Sequence, residues 1–570
     1  MPFTPAVREQ RFVLDTVANI ADLAATERFE AAAPDLVDAV LEGAGQFAAG
    51  EWAPLAREGD INGPKWTDQG VKMPAGYPQA YRDYVEGGWG TIGAPADFGG
   101  QGLPFVLASA VLETLGTANM GFALAPTLTV GAIEALLHHG TPEQQAAYLP
   151  HLATGEWTGT MNLTEPQAGS DVGALKARAE PVGDGTFKIS GTKIFISFGD
   201  HDMADNIVHL VLARTPSAPE GTRGISLFLV PKYRLDSDGR PGAFNDVRVV
   251  SIEHKMGLHA SPTCVLSFGD NNDCIGELIG PENGGMRAMF TMMNNARLNV
   301  GLQGVQVGEA ATQKAVEFAR ERIQSARAGS ADRKPVAIIE HPDVRRMLMR
   351  MKAQTQAARA LVYLAASMVD RADGDEAAKD RLEILTPLAK AHATDLGNEV
   401  ASLGVQVHGG MGFIEETGAA QFFRDARITP IYEGTNGIQA ADLVGRKLGL
   451  SNGAAFSTLI ADMRAEAEDT ALRALIDACD HAGRRLAAAD ADDRLAASYP
   501  FLTMLSVAVC GWLMERQGRD ADANDDFCRM KRAVAGFYVE QIVPEALGLH
   551  AATSASAERL YELSADLFAA

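Results

Sequence analysis

Glu433 is the residue best placed to do chemistry. It lies in Arg424-Asp425-Ala426-Arg427-Ile428-Thr429-Pro430-Ile431-Tyr432-Glu433-Gly434-Thr435-Asn436-Gly437-Ile438-Gln439. A helical pattern runs to Phe423. Pro430 breaks it, because proline lacks a backbone donor and restricts the residue before it, and a new periodic run opens near Asn436. Glu433 therefore falls on a tight connection between helices, with two readings open: a base held on a loop, or a carboxylate capping the positive end of the next helix. A second group, Met161-Asn162-Leu163-Thr164-Glu165-Pro166-Gln167-Ala168-Gly169-Ser170-Asp171, offers hydroxyls and backbone N–H groups. These suit an acceptor-rich ring or a phosphate, or merely cap a turn. Arg322 carries a planar, permanently charged fork that suits a pyrophosphate, with Arg320 beside it as the alternative. Gln406-Val407-His408-Gly409-Gly410-Met411-Gly412-Phe413 ends in glycines that stop a helix and let backbone approach a ligand, and His408 reads as a packing or hydrogen-bonding residue. No metal-ligand spacing occurs. No Gly-x-Gly-x-x-Gly follows a strand, so no Rossmann unit is expected.

Four segments must position these groups. Residues 1–158 read as helical, with an apolar stripe at Leu36, Val37, Val40, Leu41 and Ala44. A loop-rich stretch is expected from Pro54 to Pro78, and a turn cluster at Gly99-Gly100-Gln101-Gly102. Two apolar core helices follow, Phe105 to Leu115 and Thr127 to His138. Residues 159–280 alternate as short strands, including a hairpin turning at Ser190-Gly191, and predict a barrel or sandwich. Residues 281–450 return to helical spacing. Met286 to Arg322 is one long helix whose glycines lower helicity but permit close helix packing. Ser451-Asn452-Gly453 marks the start of an extra helical domain, 451–570. Its apolar patch Phe501 to Leu513 reads as a buried helix and Ala487 to Asp493 as a polar loop. The fold class is α+β in the order helices, β domain, helical bundle, helical tail.

The chain has 570 residues, formal net charge -23, and 50 Lys plus Arg against 73 Asp plus Glu. That balance argues against nucleic acid and anionic membranes as partners. Five cysteines without a CxxC pair are a poor disulfide framework and fit a reducing, cytoplasmic setting. The start, Met-Pro-Phe-Thr-Pro-Ala-Val-Arg, has no signal-peptide pattern, and no apolar run reaches the ~20 residues of a membrane span.

Six segments between Met161 and Gln439 resemble, in order, the motifs of the acyl-CoA dehydrogenases: Thr-Glu-Pro-x-Ala-Gly-Ser-Asp, Phe-Ile-Ser at 195–197, the run to Arg297, the run to Arg322, Gln-Val-His-Gly-Gly at 406–410, and Ile-Tyr-Glu-Gly-Thr-Asn-Gly-Ile-Gln. The resemblance implies the family's fold and FAD as cofactor. It implies that Thr164 bonds the flavin ring, with Met161, Leu163 and Ile196 beside it. Phe195, where tryptophan is more usual, would lie against the isoalloxazine, and Ser197, in place of threonine, would bond the reactive flavin nitrogen. Ser170 would lie near both cofactor and thioester phosphates. Arg322, followed here by Ser325-Ala326-Arg327 in place of the usual Phe and Gly, would bind the dinucleotide. Gln406, Gly409 and Gly410 would reach the dinucleotide of a neighbouring subunit, which implies a homodimer or homotetramer. Thr435 and Asn436 would touch cofactor. Asn294 (often aspartate in the family), Arg297 and Gly434 would meet substrate, Arg297 at its coenzyme A end.

By the same resemblance Glu433 removes the α-proton of an acyl-CoA while the β-hydrogen leaves as hydride to the flavin. The thioester oxygen is held by the Glu433 backbone N–H and the flavin ribityl hydroxyl. Burial near neutral groups would raise the carboxyl pKa towards a useful range. The tail, Lys255-Met256-Gly257-Leu258-His259-Ala260-Ser261-Pro262-Thr263-Cys264 and Met289-Phe290-Thr291-Met292-Met293 resemble a long subgroup of the family. They point to 3-(methylthio)propanoyl-CoA or another short- or medium-chain acyl-CoA as substrate, and to an electron-transfer flavoprotein as acceptor. The alternatives are an acyl-CoA oxidase using oxygen and a flavin-containing DNA-binding relative, the latter disfavoured by the acidity.

Overall fold

Apolar residues on both faces of a strand demand cover on both sides, and the strands Trp157–Asn162 and Asn206–Ala213 are buried throughout. In the computed structural model, which describes residues 3–570 except the side chains of Met292 and Asn294, these two strands pair in parallel at one end of the sheet of a mixed domain. The chain divides into two compact units, residues 42–296 and residues 3–41 with 297–570.

In the first unit the sheet runs Val247–Ile252, Thr263–Phe268, Thr186–Ser197, Ile275–Ile279, Ser226–Pro231, Asn206–Ala213, Trp157–Asn162, with Arg178–Pro181 added on Thr186–Ser197. Strand parity splits the core. Val208, Leu210 and Leu212 face Ala132 and Leu136 of a helix, whereas Val211 and Ala213 face Phe228, Val230 and Leu266. The hairpin expected at Ser190-Gly191 is instead one continuous strand, Thr186–Ser197. Its first part pairs with Ile275–Ile279 and its second with Thr263–Phe268. Gly191 sits at the exchange with φ 143, where a Cβ would stand 2.9 Å from Ala177. The glycine marks a close approach, not a turn.

Two further expectations change. The stretch from Pro54 to Pro78 contains the helix Ala56–Asn62 and a hairpin of Lys65–Thr67 with Gly70–Lys72. Three-residue strands carry too little periodicity to read, and Asp200 Oδ2 accepts from Val71 N at 2.9 Å to help hold this one. The two helices expected between Phe105 and His138 form one helical run, Phe105–His139, kinked at Asn119. There the Asn119 amide donates to Trp52 O and Tyr77 Oη instead of continuing a regular turn. This helix is long and apolar enough to cross a membrane, but 72% of its most apolar window is buried inside the structure. It is a core helix.

In the second unit the long helices Pro342–Arg371 and Glu376–His408 pack with the helix that ends at Glu321. A Cβ on Gly304 would stand 2.0 Å from the Ala393 carbonyl oxygen, and one on Gly397 2.7 Å from that of Gly304. Only bare backbone allows that crossing. The tail packs into the same unit. Ser498–Asp520 is a buried helix, and Cys510 lies 3.6 Å from Ala357 O. Lys531 donates to Glu9, Gln356 and Gln517, so three distant stretches share one buried charge. Between Ala487 and Asp493 the break is short, and Asp490 caps the next helix through Asp493 N.

Candidate active site

The hydroxyl-bearing group after Trp157–Asn162 is held by a buried ion pair that sequence reasoning did not single out. Lys193 Nζ donates to Glu165 Oε1 at 2.8 Å and to Leu163 O at 3.1 Å. Glu165 also accepts from Lys176 N and Ala177 N, at 2.7 and 3.0 Å. Burial acts to raise the Glu165 pKa, but Lys193 and these N–H donors hold it below the ordinary carboxylate value. Ile194 N donates to Thr164 O at 2.9 Å, which brings Thr164 beside the Phe195-Ile196-Ser197 segment. Phe195 has φ 60 and stays 59% exposed, while Ile196 is buried against Cys264 and Ser197 is half-buried.

A left-handed conformation costs a non-glycine about 1–3 kcal/mol, and here it turns a large ring outwards. Thr164, Ser197 and Ser170 donate to no protein acceptor among the described residues. An open aromatic face with free hydroxyls nearby fits a planar, acceptor-rich ring such as that of FAD. Met161 is buried, Leu163 half-buried and Ser170 exposed.

The loop carrying Glu433 is built differently from a cap. Thr435 is the N-cap of Asn436–Gly445, its hydroxyl accepting from Ile438 N at 3.2 Å. The capping hydrogen bond is thus made by Thr435 and not by Glu433. Asn436 N donates to Pro430 O at 3.0 Å and closes the loop. Within it Glu433 has φ 54 and Gly434 φ 82. The Glu433 carboxylate is half-buried and makes no hydrogen bond or ion pair with any described residue. Burial raises its pKa, while Arg297 and Lys390 act to lower it.

Arg297 is 6% exposed, and its Nε has no partner among the described residues. Its Nη2 lies 3.9 Å from where a Gly434 Cβ would stand, so the guanidinium runs alongside the base loop. Burial lowers its pKa, opposed by Asp442, Glu433 and Glu383.

Lys390 is fully buried on the helix Glu376–His408 and donates to Asn436 Oδ1 at 2.8 Å. Burial depresses its pKa to about 8 against the pull of Glu433 and Asp395. Asn436, expected to touch cofactor, is 3% exposed. Its amide nitrogen is committed to Ala391 O, Thr394 Oγ1 and Asp395 Oδ1. That side chain is turned into the protein and anchors the loop. Lys390 and Asp395 carried no sequence signal beyond being charged residues in an apolar helical run.

The remaining described residues make no hydrogen bond or ion pair with either group. Arg322 and Arg320 are exposed, and Arg322 makes no ion pair with a described residue. Gln406, Gly409 and Gly410 are exposed, with open space around both glycines. His408 stacks on Phe318 at 4.4 Å and bonds Gly404 O at 2.7 Å. The side chain of Asn294 lies outside the described residues.

A desolvated carboxylate beside cations in one unit, and an open aromatic face with free hydroxyls in the other, are groups that suit a flavin-dependent oxidoreductase. Comparison with known proteins gives the particular family. Residues 36–156, 160–271 and 283–448 match the N-terminal, middle and C-terminal domains of acyl-CoA dehydrogenase, and residues 453–564 match the acetyl-CoA dehydrogenase C-terminal-like domain. The 3-methylmercaptopropionyl-CoA dehydrogenase of Ruegeria pomeroyi is 42% identical over 99% of this chain and 100% of its own length. Caenorhabditis elegans ACDH-11, solved in complex with C11-CoA, is 20% identical with TM-score 0.78, covering 95% of this chain and 92% of its own. A Bacillus anthracis acyl-CoA dehydrogenase complexed with FAD is 22% identical with TM-score 0.73, covering 94% and 90%. The chain belongs to the acyl-CoA dehydrogenase family, whose cofactor is FAD.

Proposed function

We propose that this acyl-CoA dehydrogenase oxidises a short- or medium-chain acyl-CoA thioester to the 2-enoyl-CoA, with Glu433 as base. The observation that carries this is the Glu433 carboxylate: half-buried, raised in pKa, without a hydrogen-bond partner, and fixed by left-handed backbone beside Arg297. A carboxylate engaged by donors would be too weak a base for an α-carbon.

The Glu433 carboxylate accepts the α-proton. Its backbone N–H, which donates to no described group, is free to hold the thioester oxygen as negative charge builds there. Arg297 stands ready to hold an acceptor of the substrate, and Gly434 leaves the loop without a side chain. Bound FAD supplies the acceptor for the β-hydride, so that one C–H pair of electrons becomes the new C=C bond and the other leaves. Thr164, Ser197 and Phe195 hold and face the ring, with Met161, Leu163, Ile196 and Ser170 around it. Arg322, Gln406, Gly409, Gly410 and Thr435 serve the dinucleotide. Met411 and Ile414 are exposed beside these glycines, and Phe413 is 87% exposed. This apolar end supports a subunit contact in a homodimer or homotetramer.

The relative from Ruegeria pomeroyi supports 3-(methylthio)propanoyl-CoA as the acyl group, and with that substrate the enzyme would serve dimethylsulfoniopropionate catabolism. An electron-transfer flavoprotein is the acceptor. Five free, buried cysteines support a cytoplasmic setting. Anaerobic bleaching of the purified yellow protein tests the reading, using methylthiopropanoyl-, butanoyl-, octanoyl- and phenylpropanoyl-CoA. Bleaching by none of them would refute it. Rapid re-oxidation by oxygen alone would turn it to an oxidase.

A further inference from the structure

A side chain of the helical tail after Leu448 reaches the supports of the base. Tyr499 opens the buried helix Ser498–Asp520, yet it is itself 39% exposed. Its hydroxyl donates to Asp395 Oδ2 at 2.6 Å. The other oxygen of Asp395 accepts from Asn436 Nδ2 at 2.9 Å. Asn436 Oδ1 in turn accepts from Lys390 Nζ at 2.8 Å. We propose that Tyr499 is a positioning residue for Glu433: by fixing Asp395, it keeps the oxygen end of the Asn436 amide towards Lys390 and so holds that ammonium near the base.

An amide has a donor end and an acceptor end, and only the acceptor end suits an ammonium. Ala391 O and Asp395 Oδ1 call for the Asn436 nitrogen on the far side, whereas the Thr394 hydroxyl meets both ends of the amide. Of these, the carboxylate is the strongest acceptor and the one free to rotate, since Asp395 is only half-buried. Tyr499 closes that freedom. Lys390 has three donors and gives one to Asn436, and no other described group accepts from it. Its charge is therefore available to Glu433.

The groups facing this chain are few. Glu433 is acted on by Lys390 and Arg297, with Tyr432 adjacent to it. Asp442, Glu383 and Arg446 act on Arg297. Asp395 also feels Arg427. Of these, Lys390 is the one bonded to Asn436, whose amide also acts directly on the Tyr499 hydroxyl.

The proposal rests on Glu433 as the base. Its test is the pH dependence of anaerobic flavin reduction by a bleaching acyl-CoA, in holoenzyme of the native protein, Tyr499→Phe, Lys390→Met and the double variant. The ascending limb reports the base. Removing the cation raises the base pKa, so Lys390→Met moves the limb up by about one pH unit. Tyr499→Phe moves it the same way by several tenths, with flavin content and melting temperature unchanged. In the Lys390→Met background it moves the limb no further. A Tyr499→Phe limb that coincides with the native one, or an equal shift in both backgrounds, overturns the proposal. Should Lys390→Met lose flavin, Asp395→Asn takes its place: it moves the limb upward, and Tyr499→Phe added to it must change nothing more. A native protein that no acyl-CoA bleaches at any pH would instead remove the enzymatic reading, and this one with it.

Discussion

Replacing Glu433 by glutamine changes one oxygen for an amide group of nearly the same shape. The carboxylate has no hydrogen bond or ion pair to lose among the described residues, so loop geometry is retained. The proton acceptor is not. General-base catalysis contributes about 10²–10⁴-fold, which at 1.36 kcal/mol per tenfold is about 2.7–5.4 kcal/mol of barrier. Flavin reduction by acyl-CoA, followed by anaerobic stopped flow, should slow by at least that factor while bound flavin stays at one per chain.

Stability should move in the opposite sense. Burial lifts the Glu433 pKa above 4.5, so the folded protein binds this proton more tightly than the unfolded chain. It therefore loses stability as pH rises from 4.5 through the raised value. Glutamine has no such loss, and the variant should melt at the same temperature as the native protein or higher at neutral pH. Native-like bleaching by the variant would refute the assignment of the base. A lower melting temperature would refute the account of the carboxylate as a desolvated, unpartnered charge.

Lys193→Met should strand Glu165 as a buried, unpaired carboxylate, costing about 3–5 kcal/mol, and loosen the Thr164 loop. Chemical denaturation and the rate of flavin fluorescence release would both register it, and unchanged values in both would refute the role of the pair. Gly304→Ala should cost about 1–3 kcal/mol or more, because its Cβ would meet the Ala393 carbonyl at 2.0 Å. Gly445→Ala, with open space around it, should be neutral. Equal melting temperatures for these two variants would show that the helix crossing is not set by Gly304.

Much of the architecture was legible because it depends on short-range pattern. Helical stripes, buried apolar strands and the order helices, sheet, helices are written in periods of 3.6 and 2. Where reading failed, a local signal was overruled from a distance. Ser190-Gly191 looks like a turn, but the neighbouring Ala177 makes the glycine a place of close approach within a strand. Residues 65–72 look like loop, and an aspartate about 130 residues away helps pin them as a hairpin.

The candidate site divides the same way. Resemblance to family motifs marked Glu433, Thr164, Phe195, Ser197 and Arg297, since a reacting group must be of one chemical type and motifs preserve type and spacing. The sequence could not show that Thr435, and not Glu433, caps the helix, nor that Asn436 faces inward. Nor could it show that Lys193, Lys390, Asp395 and Tyr499 stand behind the residues named. Those are facts of long-range contact: burial sets the strength of a charge and a partner's oxygen sets the direction of an amide. Both exist only once segments far apart in the chain have met.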